Sequence, residues 1–459
     1  MDPPASQSAV RRRRSFGQTL LLIVFLALVL RVGYVAGAKK GPCEIAPGRW
    51  IPTECAVGDQ TFYNGEANRL AMGDGFVEWG IPGKHAPPAA DHPPLTVVVL
   101  APVAWLTMHG PFSWVDDPSG VTEERYFMAV LGAVLVLLVG LLGRRVGGDR
   151  VGLIAAVIAT LNPNLWINDG LIMSETITCI AVVLALLLAY SLRDRPRLLT
   201  AVGCGALCGL AGLARAELLL FVPFLAVPAA LAARGVDRRR HLQLAVCGVV
   251  AAVVVVGPWV GYNMSRFKDP TFVSTNDGLA LAGSNCDHVY FGSATGLTFL
   301  EPPCIDDPSP PGDQSQVSAV YRDRAFDYMG DNPGRVPIVV AARIGRTWSL
   351  YRPFDMFYYN LAEGKERFSN IAALVVYYPL AVLAIAGGWI LVRRRRGLLW
   401  PLIVPAVTVT IGVGLTYGQT RFRAAAEPSI VVLAAVVLAA IWNRWSSRGN
   451  HPLTHGETA

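Results

Sequence analysis

Ionisable side chains recur at one end of successive apolar segments of this sequence. They are Asp59, Asp91, His92, Asp169, Glu175, Arg215, Arg421 and Arg423. Charged groups at membrane depth lose their hydration, so those that persist there are usually paired or functional. Because several separate turns offer such groups to one face, these residues form the candidate site.

The acids and the histidine also have simpler explanations. Asp59 could cap a helix that continues to Met72, and Asp169 could cap a helix that begins near Leu171. His92 could bind a metal, but it has no second histidine nearby, which favours a plain interfacial residue. Residue type alone therefore does not separate a chemical role from a structural one at these positions.

The arginines carry a stronger signal. Arg215 could be a boundary residue whose aliphatic stem lies in the apolar layer, and Arg421 and Arg423 could solvate a turn. However, the positive-inside rule makes an outward-facing arginine pair unusual, and the arginine fork binds phosphate and carboxylate well. The pair therefore favours an anionic partner.

The composition indicates a polytopic membrane protein. The chain is 53% hydrophobic and 16% charged, with a mean hydropathy of +0.42, which is more apolar surface than a soluble globule hides. The net charge of +7 lies in short arginine runs between apolar segments, the positive-inside pattern. This distribution argues against nucleic acid as the partner.

A membrane-spanning helix needs about 20 mainly apolar residues, and ten segments qualify. They are Phe16–Val35, Tyr126–Leu142, Val151–Ile167, Leu171–Leu192, Leu198–Leu213, Leu218–Ala233, Leu242–Tyr262, Ile371–Val392, Leu398–Tyr417 and Pro428–Trp442. With ten spans every arginine-rich connection falls on one side, so both termini are predicted to be cytoplasmic. We expect a basic N-terminus at 1–15, a membrane domain at 16–443 with outer loops 38–124 and 263–370, and a tail at 444–459.

Three segments complicate the count. Arg11–Arg14, the first span and Ala36–Ala38 together resemble a cleaved signal peptide, although an uncleaved anchor agrees better with the later spans. Leu95–Met108 is apolar but short, and we expect a re-entrant or interfacial helix. Val336–Leu350 carries arginines at helical spacing, which predicts an amphipathic surface helix or a short tilted span.

The cysteines divide into two groups. Four lie in the predicted outer loops, where the environment is oxidising, and the favoured pairs are Cys43–Cys55 and Cys286–Cys304. Free thiols or pairing between the two loops stay open alternatives. The other four lie in apolar runs and are predicted to be small buried residues. They are Cys179, Cys204, Cys208 and Cys247.

The polar stretch after the first span has helical periodicity. Tyr63, Ala67, Leu70 and Ala71 fall on one face of a helix. We expect this helix to lie flat on the bilayer with Asp59 at its start.

The order of several short motifs resembles the GT-C superfamily of membrane glycosyltransferases, and more narrowly the family of protein O-mannosyltransferases and lipid A aminoarabinose transferases. The motifs are Gly58-Asp59-Gln60-Thr61-Phe62-Tyr63, His92-Pro93-Pro94-Leu95, Asn162-Pro163 through Ser174-Glu175, Gly209-Leu210-Ala211 through Arg215-Ala216-Glu217, Pro258-Trp259 with Asn263, and Arg421-Phe422-Arg423. The resemblance covers residues 16 to about 440 and rests on the order of these motifs. It implies an all-α polytopic fold of about ten transmembrane helices, with juxtamembrane helices in two long extracytoplasmic loops.

The resemblance also implies an inverting glycosyltransferase of the plasma membrane with an extracytoplasmic active site. The donor would be a hexose or pentose on a polyprenyl phosphate, and the acceptor a hydroxyl of a protein, glycan or lipid. Asp59 would be the general base. The phosphate leaves as a stable anion, so it needs cations rather than the general acid that glycoside hydrolases use. Arg421, Arg423 and Arg215 would supply those cations.

Further roles follow from the same resemblance. Asp169 would be a second acid that orients the acceptor or holds a metal. The other residues expected to contact substrate are Tyr63, Asp91, His92 and Glu175. Gln60 follows Asp59 where many relatives have a second acid, so the cofactor question stays open between a divalent metal ion and none.

A polytopic transporter or flippase of a lipid-linked sugar is the main alternative. Transporters bind substrate near the bilayer midplane, often between repeated halves. This sequence has no internal repeat, and its ionisable residues lie at the outer ends of spans. Those features favour an enzyme, and a purely structural membrane protein would leave the outer arginines and acids unexplained.

Overall fold

The computed structural model describes residues 5–51, 56–81, 86–109, 120–393 and 399–448. Within these ranges the chain is a helical bundle with one small hairpin. The helices are α1 (Ala5–Ala38), α2 (Asp59–Ala71), α3 (Leu95–His109), α4 (Val121–Gly147), α5 (Asp149–Leu161), α6 (Pro163–Asp169), α7 (Ser174–Asp194), α8 (Leu198–Ala214), α9 (Val227–Leu231), α10 (Arg238–Arg266), α11 (Asn276–Ser284), α12 (Asp287–Tyr290), α13 (Gln314–Asp331), α14 (Val336–Thr347), α15 (Met356–Ala362), α16 (Arg367–Arg393), α17 (Trp400–Leu415) and α18 (Glu427–Arg448). Strands β1 (Cys43–Ala46) and β2 (Arg49–Ile51) pair antiparallel.

The all-α membrane architecture predicted from the sequence is confirmed. In the described part of the chain, six helices are long and apolar enough to cross a membrane: Phe16–Ala38, Val121–Gly147, Ser174–Asp194, Arg238–Arg266, Arg367–Arg393 and Thr420–Ser446. The pair α5 and α6 adds a seventh candidate if it is one bent span. The remaining predicted spans coincide with shorter apolar helices, Leu198–Ala214, Ala216–Leu231 and Trp400–Leu415, so the total of ten stays a prediction.

The bend between α5 and α6 has a local cause. The two helix axes meet at 58° at Asn162-Pro163, where proline has no N–H to continue the ladder and suits the first turn of a new helix. The Asn162 side chain accepts a hydrogen bond from the Asn164 backbone N–H at 3.1 Å and caps α6. The break turns the end of α6, with Asp169, back into the bundle.

Glycines set the closest helix contacts. A Cβ on Gly205 of α8 would lie 1.9 Å from the carbonyl oxygen of Gly248 on α10. A Cβ on Gly387 of α16 would lie 2.0 Å from the carbonyl oxygen of Leu433 on α18. Small residues let helix backbones approach in this way, which is how membrane helices gain packing contacts.

The arginine-rich connections gather at one end of the bundle. Arg145, at the end of α4, pairs with Asp194 at the end of α7, and Arg234 pairs with the same carboxylate at 3.5 Å. Ser174 at the start of α7 and Ala214 at the end of α8 therefore lie at the opposite end, where the two long connections fold. Those connections hold α2–α3 and α11–α15.

The second long connection contains a disulfide between Cys286 and Cys304, whose Cα atoms are 5.6 Å apart. Cys55 lies outside the described residues, so its pairing with Cys43 stays a prediction. Cys179, Cys204 and Cys208 are buried as free thiols, and Cys247 is half-buried. Leu95–His109 is a helix of 15 residues, or about 22 Å at 1.5 Å per residue, which is short of a bilayer core of about 30 Å.

Candidate active site

Helix α2 starts at Asp59 itself. Gly58 precedes it with φ +59°, a left-handed conformation that a side chain would strain, and no side chain caps the helix. The predicted apolar face packs inward, since Tyr63 and Ala67 are buried with Val97 and Leu100 of α3. The Asp59 carboxylate is thus free of a capping role and points to another partner.

That partner is Arg421. Its guanidinium NH1 lies 2.7 Å from Asp59 Oδ2, and His92 Nε2 lies 3.5 Å from the same oxygen. Burial disfavours the charged carboxylate, but the charges of Arg421 and His92 outweigh burial and hold the pKa of Asp59 well below its usual range. Asp59 is therefore an ionised carboxylate at neutral pH.

A second carboxylate shares the same arginine. Glu363 Oε1 lies 3.0 Å from Arg421 NH1, and Lys365 Nζ lies 3.0 Å from Glu363 Oε2. The Gln60 side-chain amide donates to the Glu363 carbonyl at 2.9 Å, which joins the start of α2 to the second long connection. Sequence reasoning missed Glu363, because no periodicity or motif marks a residue of a polar loop that pairs over such a distance along the chain.

Arg215 forms the next cluster. It donates to Glu217 at 2.8 Å and to Glu175 at 3.3 Å, and its guanidinium lies 4.5 Å from the centre of the Phe422 ring. Glu175 is buried, so Arg215 supplies the charge that such a carboxylate requires. The Arg421 guanidinium lies 5.5 Å from the centre of the same ring, so both arginines are close to Phe422.

These groups surround a cavity of about 420 Å³. Six of the nine residues singled out from the sequence line it: Asp59, Tyr63, Asp91, His92, Arg215 and Arg421. Glu217, Tyr417 and Phe422 complete the wall beside Arg421, and segment 270–277 forms the wall beside Asp91. A site of this size suits a small ligand, since ligand cavities hold about 300–1,000 Å³.

Three predicted site residues do not line the cavity. Asp169, expected to be a second acid, is buried with its carboxylate 2.6 Å from Arg31 Nε and accepting from Thr176 Oγ1 at 2.7 Å. It is the last residue of α6 rather than the cap of α7, because the bend at Pro163 turns it towards α1. It does not line the cavity.

Arg423 also faces away from that cavity. It pairs with Glu427 at 2.8 Å and donates to the Asn164 side-chain oxygen at 3.0 Å. Both arginines lie on the 3₁₀ helix Thr420–Ala426, where two residues correspond to two thirds of a turn, so their side chains point in different directions. Glu175, the third such residue, reaches the site only through Arg215.

The donor set does not fit a metal ion. In the described ranges no three His, Cys, Asp or Glu side chains converge on one point. Asp59 and His92 approach each other, but the Arg421 guanidinium lies against the same carboxylate oxygen. A metal there would have two protein ligands beside a fixed positive charge, so no chemical step below is routed through one.

Two polar atoms at the cavity are buried without a hydrogen-bond partner among the described residues. They are Arg421 Nε and His92 Nδ1. Buried polar groups are nearly always satisfied, and exceptions often mark the place of a ligand or water. The Nε–H group of Arg421 can therefore donate a hydrogen bond to an anion in the cavity.

Comparisons with known proteins agree with this architecture. Residues 119–262 match the sequence model of the dolichyl-phosphate-mannose-protein mannosyltransferase family. No curated protein sequence matches the chain.

Solved structures match over nearly the whole chain. The archaeal oligosaccharyltransferase AglB from Archaeoglobus fulgidus, in complex with an inhibitory peptide and a dolichol-phosphate, is 14% identical with a TM-score of 0.53. The match covers 98% of this chain and 53% of AglB, so the chain spans about half the length of that relative. The apo form of the Archaeoglobus fulgidus oligosaccharyltransferase gives the same TM-score, 0.53, at 14% identity, covering 97% of this chain and 53% of that one.

ArnT from Cupriavidus metallidurans bound to undecaprenyl phosphate is 14% identical with a TM-score of 0.40, covering 95% of this chain and 79% of that one. The AglB likeness and the matched segment agree with the resemblance drawn from the sequence: the chain has the GT-C membrane fold, and its residues 119–262 match the protein mannosyltransferase family model.

Proposed function

We propose that the protein is an inverting glycosyltransferase that moves a sugar from a polyprenyl-phosphate donor to a hydroxyl acceptor at the outer face of the plasma membrane. The observation that carries the proposal is the ion pair of Asp59 with Arg421 in a cavity that also holds Arg215. One carboxylate and two arginines are what a base and a phosphate leaving group need. The position of the cavity, opposite the arginine-rich connections, supports the outer face.

The reaction assigns one task to each group. The acceptor oxygen attacks the anomeric carbon, the bond from that carbon to the phosphate oxygen breaks, and its electron pair leaves with the phosphate. The acceptor proton passes to Asp59. Arg421 and Arg215 stabilise the phosphate charge, and a single displacement inverts the anomeric centre. Grooves between the apolar helices take the isoprenoid chain.

Donor binding would also activate the base. While Arg421 holds Asp59, the low pKa of Asp59 makes it a weak proton acceptor. A phosphate that engages Arg421 competes for the same donors, which weakens the hold on Asp59 and raises its pKa. The base becomes effective when the leaving group is in place, and this ordering limits donor hydrolysis.

The test is a donor panel with one variant and one control. Purified protein in nanodiscs is given short-chain polyprenyl phosphates bearing mannose, galactose or arabinose, with saccharide and peptide acceptors. We expect Asp59→Asn to lower kcat at least about 100-fold, while its affinity for polyprenyl phosphate rises because Arg421 loses an anion. Asp74→Asn is the control, since Asp74 pairs with Arg69 at 2.8 Å outside the cavity.

Two outcomes would contradict the proposal. If folded Asp59→Asn transfers sugar at the wild-type rate, Asp59 is not the base. If no donor in the panel is bound or consumed, the protein is not a transferase of this class, and transport of a labelled lipid-linked sugar across proteoliposomes becomes the next measurement.

A further inference from the structure

The wall of the cavity beside Asp91 is a rigid strap, residues 270–277. Trp259 Nε1 donates to the Val273 carbonyl at 2.8 Å, and the Asn263 amide donates to the Phe272 carbonyl at 3.2 Å. On the other side, Ser274 Oγ donates to the Asp91 carbonyl at 2.6 Å. The strap is thus bonded both to the end of α10 and to the segment that carries His92.

Phe272 projects from this strap into open space. Its side chain is 64% exposed although the ring lines the cavity and the backbone around it is fixed. An exposed aromatic ring on a rigid backbone offers a flat apolar face without losing conformational freedom when a ligand binds. Polar side chains line the same cavity, among them Asn276, Asp277 and Arg322.

Hydrogen bonds already orient two of these polar side chains, Asp277 and Arg322. Asp277 accepts from Ser318 Oγ and from Arg322 NH1, both at 2.8 Å, and these three residues line the cavity with Asn276. Among the described residues, the Asn276 amide has no hydrogen-bond partner, and only NH1 of the Arg322 guanidinium has one. A carboxylate, an amide and a guanidinium thus line the same cavity as Phe272.

This combination matches the surface of a sugar ring. A pyranose or furanose has an apolar face of C–H groups and a rim of hydroxyls that donate and accept hydrogen bonds. A flat ring can pack on the C–H face, while Asp277, Asn276 and Arg322 pair with the hydroxyls. A peptide backbone would instead need a groove with unpaired N–H and C=O groups, whereas the strap's carbonyls at 272 and 273 are already bonded.

The geometry of the displacement decides whether the strap binds the donor sugar or the acceptor sugar. This step rests on the proposed function. In an inverting reaction the nucleophile and the leaving group lie on opposite sides of the anomeric carbon. Arg421 and Arg215 define the phosphate side. A chain of contacts leads away from Arg421 through Asp59 and His92 to Asp91, whose carbonyl accepts from Ser274 of the strap. The strap is therefore on the acceptor side.

We propose that Phe272, Asn276, Asp277 and Arg322 form the acceptor subsite and that the acceptor is the hydroxyl of a saccharide. The phenylalanine is the stacking platform and the three polar side chains select the ring hydroxyls. The donor phosphate at Arg421 and this subsite then share one cavity, in which Asp59 contacts both Arg421 and His92.

Binding is measured first, without turnover. Saturation-transfer NMR on the protein in nanodiscs uses methyl mannoside, methyl galactoside and methyl arabinofuranoside, with a Ser/Thr peptide as the competing class. We expect at least one methyl glycoside to bind wild type, Phe272→Ala to weaken it about tenfold, and Phe272→Trp to restore it. Phe326→Ala is the matched control, because Phe326 is 55% exposed on α13 and does not line the cavity.

Turnover measurements test the transferase and the acceptor subsite separately. In the donor panel, Phe272→Ala should raise the acceptor KM about tenfold and leave polyprenyl-phosphate affinity and acceptor-independent donor hydrolysis unchanged. Saccharide binding without transfer from any donor would contradict the transferase and leave the subsite standing. The subsite is overturned if Phe272→Ala behaves like wild type or weakens donor binding as much as transfer. It is also overturned if the substitution changes only the partition of the protein into the membrane, or if the peptide is the only acceptor that is glycosylated.

Discussion

Glu363→Gln should strengthen the binding of polyprenyl phosphate. Arg421 NH1 is shared between Asp59 at 2.7 Å and Glu363 at 3.0 Å, so an incoming phosphate must displace a carboxylate. Replacing Glu363 by its neutral isostere removes that competitor and also frees Lys365, which now pairs with it. A variant that merely damaged the site would weaken the lipid instead.

The magnitude follows from the type of contact. A hydrogen bond to a charged group contributes about 1.5–3 kcal/mol. Arg421 and Glu363 are 12% and 13% exposed, so solvent screens part of the interaction and the lower end applies. About 1.4 kcal/mol corresponds to about a tenfold decrease in Kd.

The assay is equilibrium binding of undecaprenyl phosphate to the protein in nanodiscs, at low and high salt. Glu44→Gln is the control, since Glu44 pairs with Arg367 at 2.6 Å near the same loop and does not contact Arg421. We expect a tenfold gain for Glu363→Gln that shrinks with salt, and no change for the control. An unchanged or weaker Kd in a variant with the wild-type melting temperature would refute the competition between Glu363 and phosphate.

Two further predictions concern buried ionisable side chains away from the proposed phosphate site. Asp169→Asn should lower the free energy of unfolding by about 3–5 kcal/mol, because it leaves Arg31 buried without its anion. The double variant Asp169→Leu with Arg31→Met should recover most of the melting temperature and keep donor binding. A stable double variant without activity would instead indicate a catalytic Asp169. Burial, with the charge of Asp91, raises the pKa of Glu66 to about 8, above its unfolded value of about 4.3. Between these pH values the folded state binds more protons than the unfolded state. The contribution of Glu66 to stability is therefore complete below about pH 4.3 and is lost as the pH rises towards 8. Glu66→Gln should reduce this decrease of the melting temperature with pH, and an unchanged pH dependence would contradict a buried neutral Glu66.

The sequence predicted the elements of the site better than their pairing. Periodicity placed a helix after the first span with Asp59 at its start, and topology placed Arg421 and Arg215 at the same end of the bundle. The structure brings these three to one cavity. Arg215 and Arg421 lie next to the ends of strongly apolar helices, whose positions hydropathy alone defines, and helical periodicity marked the polar stretch that begins at Asp59.

Pairing over long distances was beyond sequence reasoning. Asp169 was expected at the site, but the 58° bend before it directs it to Arg31, and hydropathy carries no information on bend direction. Glu363 and the strap at 270–277 lie in a polar connection without periodicity, so only their folded contacts identify them. Arg423 is two thirds of a turn of 3₁₀ helix from Arg421, a difference in direction that a pair of arginines in a motif does not reveal.

The ion pair of Asp59 with Arg421 has a consequence for biosynthesis. Its two members lie beside the first and the last of the membrane helices, so a nascent chain can insert nearly the whole bundle before the second member leaves the ribosome. During that time Asp59 lacks its partner Arg421, and only Arg215 of the two proposed phosphate-binding arginines is present. Under the proposed function, a chain truncated before Arg421 would insert most of its membrane helices but would not transfer sugar.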